Sequence, residues 1–425
     1  MKIVKMTERL KVCAAVLALT MALAGCTALA NASGNVSGNT ASGQTGTISV
    51  TGVEQLSVTD KDNDTSYDES AAEMISFTDS TGTVKITKAG TYIITGSTSD
   101  GMIIVEAGEE DDVHLILRDA SITSSTSAAI YIISCDETYI TLEGNNTLAN
   151  GGEFKAIDEN DIDAVIYSKD DLTINGSGTL NITSPAGHAV VCKDDMVITG
   201  GKYNLSAKED GINTNDSLSI TAGTFTVKVS DDAIHTDGLL QVDGGTFDIT
   251  AAEGLEATYV LINNGDITIS ASDDGINGGP KSDAYTPTIE INGGNIKINM
   301  GQGDTDGLDA NGNIIINGGT VDITGQSACD YDGTAQLNGG TLIVNGSQVD
   351  QIPNQMMGGR GGMRGNMGGD PNANGQMPNF DPSSSGSGQM PQMPDGSNPG
   401  RQGFGGRGER FGRNQNQNTA NTQQQ

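Results

Sequence analysis

The sequence contains no tryptophan, and aromatic residues make up only 4% of it. Such large side chains dominate globular cores. Their scarcity, with many Gly-Gly pairs among 59 glycines, suits a thin solenoid better than a compact globule. Basic residues are also few: 22 Lys and Arg stand against 54 Asp and Glu, a formal charge of −32. Residues 1–26 carry +3 and those from Ile352 onward +2, which leaves −37 on the middle. A body this acidic repels DNA, RNA and anionic lipid and attracts cations. The five cysteines form no CxxC, so there is no zinc or redox motif of that kind. With Cys13 and Cys26 near the start, Cys135, Cys192 and Cys329 remain, and they read as buried thiols in a wall. The apolar run Val12–Leu23 is too short to span a bilayer.

What is present is a repeat. Between Asp163 and Ser347 one pattern recurs eight times at a period of roughly 22 residues, within the range of solenoids. Each copy holds a first run such as LTING (172–176) or LSITAG (218–223), then a second such as TLNITS or TFTVKVS. Stacking the second runs gives two apolar columns. One is Leu180, Tyr203, Phe225, Phe247, Ile267, Ile296, Val321 and Leu342; the other is Ile182, Leu205, Val227, Ile249, Ile269, Ile298, Ile323 and Val344. Alternation of this kind puts one strand face inside and leaves the other wet. A unit so short cannot bury its apolar face alone, so its neighbours must stack on it. The pattern predicts an all-β chain, a right-handed parallel β-helix with an N-terminal β cap and a disordered C-terminal tail.

Four segments follow from composition. Residues 1–26 read as a lipoprotein signal peptide: basic residues precede the apolar run, and Leu23-Ala24-Gly25-Cys26 resembles a bacterial lipobox with Cys26 as the lipid-bearing residue. The expectation is an exported protein, lipid-anchored on the extracellular face of the cell membrane. Residues 27–50 are small and polar, a flexible linker. Residues 51–350 are the β-helix, its early part supplying the cap. Residues 351–425 are rich in Gly, Met, Pro, Asn and Gln and read as a disordered tail. Its GGRGG and GGRGER pieces resemble nucleic-acid-binding tails, but six Arg, few aromatics and export favour a spacer near the cell wall.

The chemistry-bearing residues recur with the repeat. Acidic segments follow the second runs: Glu209, Asp210 and Asn213; Asp231, Asp232 and Asp237; Glu253 and Glu256; Asp273, Asp274 and Asn277; Asp304, Asp306 and Asp309; Asp330 and Asp332. The apolar residues Ile212, Ile234, Leu255, Ile276 and Leu308 keep one register and so point inward. The carboxylates and amides beside them then face out along one corner. Stacked coils lie about 4.8 Å apart, close enough for carboxylates to repel unless a cation sits between them. An all-oxygen donor set favours Ca²⁺, which takes six to eight oxygens at about 2.4 Å. His235, a lone imidazole in these segments, does not argue for zinc or copper. No segment is an EF-hand loop, and the GGxGxD nonapeptide is missing.

Three stretches carry a resemblance: KAGTYIITGSTSDGMIIVEAGEEDDVHLILRDASITSSTSAAIYI (88–132); the run from SKDDLTINGSGTLNI to KEDGINTNDSLSITAGTF; and the set DDAIHTD, DDGINGG and TDGLDANG. Across roughly residues 75–348 the chain resembles the clostridial-type cell-surface carbohydrate-binding proteins, parallel β-helices related in fold to pectate lyases. The resemblance implies surface display, calcium at the coil corners and binding of a pectate- or cellulose-like polysaccharide. By position it puts calcium ligands on Asp210, Asp231, Asp232, Asp273, Asp274, Asp306 and Asp309. Without tryptophan there is no visible stacking platform for crystalline cellulose. An acidic body also repels pectate unless calcium bridges the two. The coherent expectation is therefore calcium-dependent, non-catalytic binding of an acidic polysaccharide. A calcium-dependent lyase and a structural or adhesive wall protein are the alternatives. A lyase needs a base, for which Lys208, Lys193 and Lys281 are the nearest lysines, though they read as solvated surface residues and no Arg lies in the acidic segments.

Overall fold

A computed structural model describes residues 53–303 and 305–354. The signal segment with Cys26, the linker 27–50, the tail from 355 and Asp304 lie outside the described residues. The described chain is all-β apart from one short helix, Asp60–Asn63, and forms a parallel β-solenoid of about twelve turns.

Three ladders of strands run along it. The third contains the apolar columns read from the sequence: Thr179–Ser184, Lys202–Ala207, Thr224–Val229, Thr246–Ala251, Asp266–Ala271, Asn295–Met300, Thr320–Thr324 and Thr341–Val344 pair in parallel, each in register with the next. Every residue of both columns is buried except Val344, half-buried in the last coil. There Ser347–Val349 turns back as an antiparallel strand, covering the edge that a parallel partner would otherwise have paired. Tyr203, Phe225 and Phe247 stack as a column of rings, centroids 4.6 Å apart and planes within 6°. The second ladder runs through Asp112–Arg118, Glu137–Glu143, Asp171–Gly176 and on to Ala335–Leu337.

The first ladder differs from the sequence reading. Two strand runs per copy are legible; most coils have three, and in Ile234–Val242 and Leu255–Ile262 the first two run on as one strand. The extra strand lies inside the acidic segment, as Ile212–Thr214, Ile276–Gly278 and Asp306–Ala310. Asp, Asn and Gly disfavour strands on their own. These short strands exist because neighbouring coils pair with them: Gly211 N–H donates to Asp232 O at 3.0 Å and Ile212 N–H to Ala233 O at 3.1 Å. The tight approach needs small residues at the turn. A Cβ added to Gly211, Gly254 or Gly275 would meet the next coil's carbonyl at 2.5, 2.4 and 2.5 Å, respectively.

The start of the described chain also departs from expectation. Residues 53–64 do not begin the cap but run along the outside of the second ladder, over coils that come much later. Val53 and Leu56 pack with Leu239, Tyr259 and Leu261. Leu56 N–H donates to Gln241 Oε1 at 2.8 Å, and Gln241 Nε2 donates to Leu56 O at 3.2 Å. Asp62 O accepts from Asn175 Nδ2 at 3.1 Å and Thr199 Oγ1 at 3.0 Å, and Lys61 pairs with Asp112 at 2.6 Å. Cys135, Cys192 and Cys329 are buried free thiols, as expected.

Candidate functional site

The short strands of the first ladder set two rows of polar side chains along one corner. The first row stands just ahead of the small turn residue: His188, Asp210, Asp232, Glu253, Asp274, Asp306 and Ser327. The second stands one residue beyond the inward apolar residue: Asn213, His235, Glu256, Asn277, Asp309 and Asp330 are partners in consecutive pairings. A period of about 22 residues and a fixed register thus become vertical files. Backbone amides hold part of the first file. Asp232 N–H donates to Asp210 Oδ1 at 3.0 Å, and Asp306 N–H to Asp274 Oδ1 at 3.0 Å. The carboxylates face outward as expected, yet several are not wet: Asp210, Asp232 and Glu256 are 4%, 8% and 3% exposed.

Charge divides the corner in two. In its N-terminal half the protein supplies its own cations. His188 lies 3.1 Å from Asp210 and 3.0 Å from Glu209. His235 Nδ1 lies 2.6 Å from Glu256 and 3.1 Å from Asp232, and its Nε2 lies 3.2 Å from Asp237. Lys281, on the insertion after Asn277, reaches Glu256 at 2.7 Å. Burial opposes the charged imidazole of His235, but its bonds to Asp232 and Glu256 prevail and hold its pKa at about 10. Burial likewise works to raise Glu256, and hydrogen bonds from His235 and Lys281 outweigh it, holding the carboxyl at about 2. Asp210 also stays below its ordinary value despite burial, through His188 and Asn213.

The C-terminal half has no such cation among the described residues. Burial, then the charge of Glu256, pushes Glu253 up to about 8. Burial with Asp309, Asp273 and Asp306 takes Asp274 to about 7. Burial with Asp306, Asp330 and Asp332 takes Asp309 to about 6. Asn277 donates to Glu253 at 2.9 Å, while its own buried Oδ1 has no partner. Asp330 Oδ1 is likewise buried and unpartnered. Oxygen donors in excess, without donors to satisfy them, form an environment suited to a hard cation.

The remaining residues from the sequence fall around this core. Asp231 and Asp273 are exposed on the turns; ligand atoms of Asp231, Asp210 and Asp232 lie within 4.8 Å of one another. Asp332 is exposed at the far end of its strand, beside Asn311. Lys208 is exposed and enters no described ion pair. Lys281 is committed to Glu256, and the carboxylate raises its pKa against the effect of burial, so it is a cation here and not a ready base. Two features went unread in the sequence. His188 sits one period before Asp210, in a coil without the acidic pattern. On a separate corner Asp171, Asp194 and Asp195 bring ligand atoms within 4.8 Å of one another; the acidic pairs 170–171 and 194–195, one coil apart, were the available signal.

Comparison with known proteins adds the following. A family model described as carbohydrate-binding domain-containing protein matches residues 80–351. A protein of Acetivibrio thermocellus with the same description is 37% identical over 128 residues, 29% of this chain. The chain spans 45% of that relative's length. A solved structure, described as the polysaccharide lyase-like protein from C. thermocellum in a gadolinium derivative, shares 25% identity at a TM-score of 0.40, covering 64% of this chain and 96% of that one.

Proposed function

Because this chain belongs to the family of carbohydrate-binding domain-containing proteins, we propose that it binds an acidic polysaccharide without cleaving it, and that calcium at the C-terminal half of the acidic corner is required. The observation that carries the reading is the set of poorly ionised carboxylates Glu253, Asp274 and Asp309 beside the orphaned Oδ1 atoms of Asn277 and Asp330. Asn277, Asp309 and Asp330, with Asp274 and Asp306, would hold the ion. Bound there, calcium would supply positive charge to an otherwise repelling surface and open coordination positions for uronate oxygens. The protein's own groups do the rest. Lys281 and His235 hold Glu256 ionised, while burial and the neighbouring Glu256 push Asp232 up to about 7 despite its bond to His235. The engagement of Lys281 with Glu256 leaves that lysine unfit as a lyase base, which supports binding over cleavage.

The test is one incubation. Full-length protein is mixed with polygalacturonate and calcium, while retention on the polymer and absorbance of unsaturated product are followed together. Retention without product is the expected result. Product would make the protein a lyase, and neither signal would leave a structural role.

Export and lipid attachment at Cys26 complete the proposal, placing the solenoid at the outer face of the membrane. Metabolic labelling with a palmitate analogue should mark the wild type and leave Cys26→Ser unlabelled. An unlabelled wild type removes the anchor from the proposal.

A further inference from the structure

Among the described residues three groups bring ligand atoms within 4.8 Å of one another, and only Asp232, His235 and Glu256 include a nitrogen. Two coils supply this group. Asp232 and His235 flank Ala233 and Ile234 on one coil, and Glu256 pairs in register with His235 from the next. Asp232 and Glu256 are buried, and the His235 side chain is 12% exposed. The strand register and the bond from Asp232 N–H to Asp210 Oδ1 fix the positions from which these side chains leave the wall.

Three atoms converge on one point. His235 Nδ1 lies 2.6 Å from Glu256 Oε2 and 3.1 Å from Asp232 Oδ2. A ring nitrogen carries at most one proton, and one N–H points at one acceptor. Two carboxylate oxygens on the same nitrogen exceed what that proton can serve. Around a divalent ion with bonds of about 2.0–2.2 Å, adjacent ligand atoms stand roughly 3 Å apart, close to the spacing found.

The atoms facing away from this point are held as well. His235 Nε2 lies 3.2 Å from Asp237 Oδ1. Glu256 Oε1 accepts from Lys281 Nζ at 2.7 Å and from Asn277 Nδ2 at 3.2 Å. Metal-binding imidazoles commonly give their second N–H to a carboxylate, and ligating carboxylates are themselves hydrogen-bonded from outside. His188, the other imidazole of the corner, is built differently: Asp210 N–H donates to its Nδ1 at 3.0 Å and occupies that lone pair.

The geometry points to a second kind of metal site: a first-row divalent transition ion, such as Zn²⁺, held by Asp232 Oδ2, His235 Nδ1 and Glu256 Oε2. The donor set decides the class. Imidazole nitrogen suits transition ions, whereas oxygens alone suit calcium. The imidazole that stands by itself in the sequence is thus joined in space by two carboxylates. Three protein ligands leave positions open to water. Binding releases the His235 proton, so a dication replaces a single positive charge beside Asn277. The inference stands without the calcium or the polysaccharide reading.

The test uses full-length protein labelled with ¹⁵N-histidine, stripped with EDTA and then saturated with calcium. Zinc is titrated in while the imidazole nitrogens are followed by NMR. The chain has three histidines, and the signals of His114 and His188 report that the fold is intact. Zinc on carboxylates or thiols elsewhere leaves the imidazoles unmoved. The expected result is a shift of one imidazole at its Nδ1, complete at one equivalent and missing in His235→Gln. Asp237→Asn should keep the shift and weaken zinc affinity by about tenfold or more, the scale of a lost outer partner. Zinc that leaves His235 unmoved, that shifts His114 or His188 instead, or that binds Asp237→Asn as tightly as wild type overturns the site. The same His235 shift with calcium alone also overturns it, by making the ion calcium.

Discussion

Calcium should raise the melting temperature of this protein by roughly 4 °C, and EDTA should reverse the gain. An ion present at a hundredfold over its Kd adds about 2.7 kcal/mol, and at about 2.1 cal/mol/K per residue a folded body of roughly 300 residues shifts by about 1.6 °C per kcal/mol. The effect would originate in Glu253, Asp274 and Asp309, pushed up to about 8, 7 and 6 by burial and by neighbouring carboxylates. The sign with pH follows. Carboxyls of the unfolded chain titrate near pH 4, so between about pH 4 and 8 the folded chain holds more protons than the unfolded one. Stability in EDTA therefore falls as pH rises through that window. His235 contributes in the same direction. Its folded pKa of about 10 lies above the unfolded value, so its stabilisation is full below about pH 6.5 and is lost as pH climbs towards 10. Glu256, held at about 2, loses its contribution only in acid, below the window. Saturating calcium should flatten the slope, because the ion replaces the protons. Asp309→Asn sharpens the test: it should raise the melting temperature in EDTA by removing repulsion, and lower it in calcium by removing a ligand. A melting curve indifferent to both calcium and this substitution would sink the metal assignment.

Phe225→Ala is the substitution expected to cost most, about 3–5 kcal/mol. Phe225 is 1% exposed and lies between Tyr203 and Phe247, with both ring centroids at 4.6 Å. Truncation loses the buried area and both aromatic contacts, each adding about 0.5–1.5 kcal/mol beyond area. The void cannot close easily. Strand pairing on both sides fixes the spacing of the coils, so neither neighbouring ring can descend into it. Phe225→Leu should recover a large share by refilling volume. Calorimetry on the two variants checks this, and a Phe225→Ala transition within about 1 kcal/mol of wild type would mean the rings do not support the fold.

The ring column was legible from the outset, since Tyr203, Phe225 and Phe247 fall into line once the second runs are set above one another. The acidic corner was legible in position and only half legible in character. Asp274 and Asp309 repeat with the coils, so their alignment followed from period alone. That Glu256 would be held ionised by His235 and Lys281 did not follow. Lys281 lies 25 residues from Glu256, in an insertion that breaks the period, and its destination depends on how that insertion folds back. Strands such as Ile212–Thr214 escaped notice because their composition opposes strand formation and only their neighbours enforce it.

By itself the amino-acid order determined a stacked β architecture, its inward columns and the files of carboxylates, because a two-residue alternation repeated at constant period leaves one way to bury every apolar face. Three-dimensional packing alone decided which of those carboxylates carry charge and where residues 53–64 lie. Those outcomes rest on contacts such as Leu56 with Gln241 and Asp62 with Asn175, more than a hundred positions apart. Proximity of that kind leaves no local trace in the chain, yet it sets the burial and the neighbouring charges that govern ionisation.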